Sequence, residues 1–120
     1  MGKLTVYQYP RCGTCRKALK WLDEKGLEYE SVHIVDHPPS EQQLRELIQK
    51  SGLPVKAFFN TSGQVYRELN LKEKLPQMNE EEQIRLLASN GKLIKRPIVT
   101  DGERVTVGFR EDQFADSWGG

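Results

Sequence analysis

Long apolar runs are missing from this chain of 120 residues; none approaches the roughly 20 that a membrane span needs. The opening MGKLTVYQY also lacks the apolar core of a secretory signal, so no membrane association is expected and the cytoplasm is the default location. Met1-Gly2 could begin a myristoylation motif, but Val6 stands where that motif wants Ser or Thr. No charge sign dominates, with 18 basic residues against 17 acidic and a formal net charge of +1. Direct binding to nucleic acid or an anionic membrane therefore has no sequence-wide footprint. Internal repeats, low-complexity segments and long linkers are absent too. Histidine and cysteine are scarce, two of each, which confines metal or thiol chemistry to a few positions. A reducing cytoplasm disfavours structural disulfides, so two cysteines three apart point to redox or metal chemistry.

What is there suits one domain over 1–120: 37% apolar residues can build a small core and 29% charged residues a solvated surface. KLTVYQY alternates Leu4 and Val6 against Tyr7 and Tyr9, a strand pattern. Beyond Pro10 the period changes. Cys15, Ala18, Leu19 and Leu22 fall on one helical face that Lys25-Gly26 ends. Leu27 to Val35 reads as a second strand, parallel to the first. Ser40 with Gln43 caps a helix bearing Leu44, Leu47 and Ile48, which stops at Gly52. VKAFFN predicts a helical turn burying Phe58 or Phe59, and YRELNL one more turn. Asn79 with Glu82 caps a helix carrying Ile84, Leu87 and Ala88.

RPIVTDGERVTVGF returns to strands. Asp101-Gly102 predicts a two-residue hairpin turn, with Val105, Val107 and Phe109 on one face. EDQFADSW closes the chain as an amphipathic helix packing Phe114 and Trp118. The expected fold is α/β: a thioredoxin-like β-α-β unit, a β-hairpin and a C-terminal helix. The thioredoxin-like parts cover about 1–39 and 91–120, around an all-helical insert of about 40–90.

The cysteines admit three readings. As buried thiols, Cys15 fits the apolar face but Cys12 does not; it sits in the turn before the helix. As metal ligands they would need His33 and His37. Yet 17 residues separate Cys15 from His33, against about 12 to 15 in a zinc finger, and a whole helix lies between. Surface or loop roles suit both histidines, and no metal is expected. As redox groups they have a direct physical basis. Cys12 at a helix start meets unpaired amides and the positive end of the dipole, flanked by Arg11 and Arg16, which favours its thiolate. Gly13 lets the backbone turn tightly, and the amides of Gly13, Thr14, Cys15 and Arg16 form a cradle for an oxyanion. Cys15, one turn on, can attack an adduct at Cys12 and close a disulfide.

In thioredoxin-like folds a cis-proline opens the strand that meets the cysteine loop. Pro97 is the candidate, which would bring Arg96 near Cys12. Together, YPRCGTCRKA, VDHPPSEQQLRELI, KSGLPVKAFFN, YRELNL and LIKRPIVTDGERVTVGF resemble the ArsC/Spx/YffB family of arsenate reductase-like proteins over nearly the whole chain. The resemblance implies a nucleophile at Cys12, with Arg96 and Arg110 binding an anion. A third family arginine would fall in the KAFFN turn, where this chain has Asn60 and the nearest base is Lys56.

The glutathione- and glutaredoxin-coupled reductases typically carry serine at Cys15. A cysteine there resembles the Spx-type branch, whose regulators bind the C-terminal domain of the RNA polymerase α-subunit and use the pair as a redox switch. Gly52 matches a position in that branch's polymerase-contacting region and is equally a helix-ending glycine. The chain ends at DSWGG without the basic tail those regulators often carry. Two functions stay open. One is a thiol oxidoreductase acting on a small oxyanion or thiol substrate, with no bound cofactor and with thioredoxin or a low-molecular-weight thiol as external reductant. The other is a polymerase-binding redox regulator.

Overall fold

Alternation of Leu4 and Val6 with more polar neighbours produces β1 (Leu4–Gln8), with both residues buried. The computed structural model describes residues 3–119, so the lipidation reading of Met1-Gly2 lies outside them. A helix follows directly, α1 (Gly13–Glu24), burying Cys15, Ala18 and Leu22 on the expected face. Lys25 caps it and Gly26 takes a left-handed φ of 69° to turn the chain. β2 is shorter than its apolar pattern suggested, Tyr29–His33. Ile34 is buried, but it lies outside the sheet.

The chain divides into two compact units, one holding the residues up to His33 and those from Arg96 onward, the other Ile34–Lys95. The first contains a four-stranded sheet ordered β2-β1-β3-β4, with β3 at Ile98–Thr100 and β4 at Val105–Val107. β1 and β2 are parallel, Leu4 opposite Tyr29; β3 and β4 add as antiparallel strands, setting Val6, Val99 and Thr106 side by side. This is the thioredoxin-like α/β arrangement. Its core joins Leu4, Val6 and Val99 to Ala18 and Leu22 of α1 and to Phe114 and Trp118 of α6 (Glu111–Trp118).

One hairpin detail adds to the sequence reading and another departs from it. Thr106, not Val105 or Val107, is the buried residue of β4, and its hydroxyl accepts the Trp118 Nε1–H at 3.2 Å. A threonine with such a partner can occupy an apolar face, which alternation alone does not reveal. The tight turn also sits one residue later. Asp101 N–H faces the Arg104 carbonyl (3.4 Å), leaving Gly102, at φ 99°, and Glu103 in the centre. The Asp101 Oδ1 holds this turn by accepting from the Glu103 and Arg104 amides at 2.9 and 2.7 Å.

The second unit is mainly helical. α2 (Glu41–Ser51) starts in the expected Ser40–Gln43 capping box and stops at Gly52, φ 71°. A turn over Val55–Phe58 buries both Phe58 and Phe59, where one was expected. The stretch after Thr61 forms two short helices, α3 (Gln64–Glu68) and α4 (Leu71–Lys74), parted by Asn70 at φ 54°. α5 (Glu80–Ser89) begins in the Asn79–Glu82 capping box and packs on α2, with Arg45 bonding Glu81 across the pair at 2.6 Å. Among the described residues no helix is long and apolar enough to cross a membrane.

Candidate active site

Cys12 takes the N-cap position of α1. It has extended backbone there, its N–H donates to the Tyr9 carbonyl (2.9 Å), and its carbonyl accepts the Arg16 N–H (3.1 Å). Its half-buried sulfur lies at the amide-rich end of a helix of 12 residues. Burial alone would raise the thiol. It is outweighed by the Cys15 amide, the Cys15 thiol, the Arg96 charge and the Thr14 amide, which together hold Cys12 below its ordinary 9.0. The two amides act by pointing at the sulfur; no full capping hydrogen bond closes onto it.

Cys15 has the opposite environment. It is fully buried, and burial, with the Cys12 sulfur adding to it, pushes its thiol up to about 12. The Tyr9 N–H donates to its Sγ at 3.5 Å, and Arg96 acts in the same lowering sense, but neither offsets the burial. Both cysteines are free. The pair is thus an acidic half-exposed thiol beside a buried one that keeps its proton and shares it.

The Arg96-Pro97 peptide is cis, and the Pro97 carbonyl accepts the Gly108 N–H at 2.8 Å where the hairpin closes. Because β3 lies beside β1, this segment arrives next to the cysteine loop. The Arg96 guanidinium lies 5.0 Å over the Tyr9 ring, and the His33 ring meets Tyr9 edge-on at 5.5 Å. Sequence reading assigned Tyr9 only a place in a strand pattern. The available signal was an aromatic beside Pro10, three residues before Cys12.

Other candidates fare differently. The charge that leads in lowering Cys12 is Arg96, whereas Arg11 and Arg16 are exposed, where solvent screens them. Gly13 opens α1 without a left-handed φ, and a Cβ there would meet nothing within 4 Å, so the turn does not require glycine. Arg110 precedes α6, largely exposed, and its Nη2 reaches Asp112 at 3.4 Å. Asn60 and Lys56 belong to the helical unit, where the Asn60 N–H donates to the Leu93 carbonyl at 2.7 Å. Among the described residues no group of three or more His, Cys, Asp or Glu side chains is placed to hold a metal, and His33 lies against Tyr9 instead.

Fold and site together define a class, a thioredoxin-like domain with a cysteine pair at the start of its first helix and a cis-proline segment beside it. The chain belongs to the ArsC family, whose pattern matches residues 7–117. It is 64% identical over 115 residues to the uncharacterized protein YusI of Bacillus subtilis, covering 96% of this chain and 98% of that one. The global transcriptional regulator Spx of Listeria innocua is 29% identical, over 92% of this chain and 83% of its own. Among solved structures, an ArsC family related protein from Bacteroides fragilis superposes with a TM-score of 0.93 at 54% identity, covering 95% and 96% of the two chains. An arsenate reductase from Vibrio cholerae gives 0.85 at 28%, covering 96% and 97%.

Proposed function

We propose that this protein is a cytoplasmic thiol oxidoreductase in which Cys12 is the nucleophile and Cys15 the resolving thiol. The observation that carries the reading is the opposed tuning of two sulfurs one helical turn apart. With a disulfide substrate, the Cys12 thiolate attacks one sulfur and expels the other as a thiolate. Cys15, its proton passing to the departing group, then attacks the Cys12 sulfur, closes the Cys12–Cys15 disulfide and frees the second half as a thiol. With arsenate, Cys12 displaces one oxygen as water. Attack by Cys15 leaves the S–As electron pair on arsenic, so a two-electron reduction to arsenite matches oxidation of two thiols. The amides of Gly13, Thr14, Cys15 and Arg16, with Arg96 and Arg110, stabilise the anion.

Neither course needs a bound cofactor. Each leaves a disulfide for an external dithiol or low-molecular-weight thiol to reduce. Asn60, where the family resemblance places an arginine, supplies no charge, so disulfides are the better substrates. The test is thioredoxin-coupled NADPH consumption with glutathione disulfide and with arsenate. Turnover should be faster with the disulfide, and Cys12→Ser should reduce both by about a thousandfold or more. Wild-type rates equal to those of Cys12→Ser with both substrates would sink the proposal.

The likeness to Spx supports a second reading, a redox regulator that binds the C-terminal domain of the RNA polymerase α-subunit through the helical unit around Gly52. A pull-down with that domain, run on the reduced and oxidised protein, tests it. Retention in one redox state supports the regulator, and no retention in either removes it.

A further inference from the structure

We infer that Tyr9 is a positioning residue, fixing the Arg96 guanidinium beside the cysteine pair by carrying it on its ring face. The inference rests on the reading of Cys12 as nucleophile and extends it to a residue whose ring acts on Cys12 only through Arg96. Four contacts converge on Tyr9. Its carbonyl accepts the Cys12 N–H at 2.9 Å, and its own N–H donates to the Cys15 Sγ at 3.5 Å, so its main chain is tied to both cysteines. Its ring is braced edge-on by His33, the last residue of β2, at 5.5 Å. The face of that braced ring lies 5.0 Å from the Arg96 guanidinium carbon.

An arginine side chain gives up rotamer freedom on being fixed, and a π-face against its guanidinium helps hold it in one place. A flat π-face contributes to this without competing for charge. The groups around the ring are Arg96 on its face, His33 at its edge and the two cysteines through the main chain; Arg11 and Arg16 are exposed. The role belongs to the ring rather than the hydroxyl, so phenylalanine should serve and an aliphatic side chain of similar bulk should not.

The experiment is alkylation of the full chain against pH, read at Cys12 by mass spectrometry, for wild type, Tyr9→Phe, Tyr9→Leu, Arg96→Gln and the Tyr9→Leu/Arg96→Gln double variant. Tyr9→Leu should raise the Cys12 midpoint by about one pH unit and Tyr9→Phe should leave it unchanged. In the Arg96→Gln background Tyr9→Leu should add nothing, because the cation it positions is gone. A Tyr9→Leu midpoint equal to wild type, or a shift that adds in full to that of Arg96→Gln, overturns the inference. Should Tyr9→Leu fail to fold, the wild-type protein decides: Arg96 side-chain protons must show the upfield ring-current shift of a group over an aromatic face, and its absence overturns the inference. A wild-type Cys12 midpoint at or above 9.0 counts against the nucleophile itself, and the ring-current shift then judges Tyr9 separately.

Discussion

At the scale of single residues, two thiols of the same chemistry diverge because of where one helix begins. Cys12 stands before the first turn, with amides and Arg96 toward it, while Cys15 points from that turn into the core. This asymmetry was legible in the sequence, since Cys15 shares a face with Ala18 and Leu22 and Cys12 does not. The source of the favourable charge was legible only through the expected cis-proline segment, which placed Arg96 near Cys12. Arg11 and Arg16 are neighbours along the chain, but Arg96 reaches the site through strand pairing, a contact that sequence distance conceals. Cys15→Ser should remove the second attack and leave Cys12 as a mixed disulfide after one encounter with glutathione disulfide. Intact-mass analysis should show this adduct in the variant and an adduct-free oxidised chain in wild type; adduct-free Cys15→Ser would contradict the resolving role.

Among the elements, those with strong local signals were read correctly. Both capping boxes formed where Ser40–Gln43 and Asn79–Glu82 marked them, and α1, α2, α5 and α6 bury their periodic faces. Periodicity fell short where tertiary partners override it. Thr106 is buried because Trp118 satisfies its hydroxyl, and β2 ends before its apolar run does. The segment after Thr61 was only partly legible: YRELNL marked a helical turn, but α3 and α4 are each about one turn long and the left-handed Asn70 that parts them carries no warning in its neighbours. Asn79→Ala removes the acceptor that holds the Glu82 amide at 2.8 Å. It should lower unfolding stability in urea by about 1 kcal/mol with an unchanged denaturant slope, and an unchanged midpoint would show that this cap adds nothing.

For the whole molecule, ionisation of the two thiols couples pH to stability with opposite signs. Cys15 is raised in the folded state, so its contribution is complete below the unfolded value of 9.0 and is lost as pH climbs from there toward about 12. Cys12 is lowered, so its contribution is present above 9.0 and fades as pH falls through its folded value. Urea unfolding of the reduced protein from about pH 8 to about pH 11 should therefore show the stability difference between wild type and Cys15→Ala shifting steadily against wild type. A pH-independent difference would mean that the Cys15 thiol ionises as readily folded as unfolded. The central claim remains the division of labour between the two sulfurs. Its most direct test is iodoacetamide labelling of the reduced wild-type protein across pH, with the two cysteines resolved by peptide mass. The structure predicts that Cys12 labels with a midpoint below 9.0 while Cys15 stays protected until near 12. Labelling of both at one midpoint, or of Cys15 first, would contradict it.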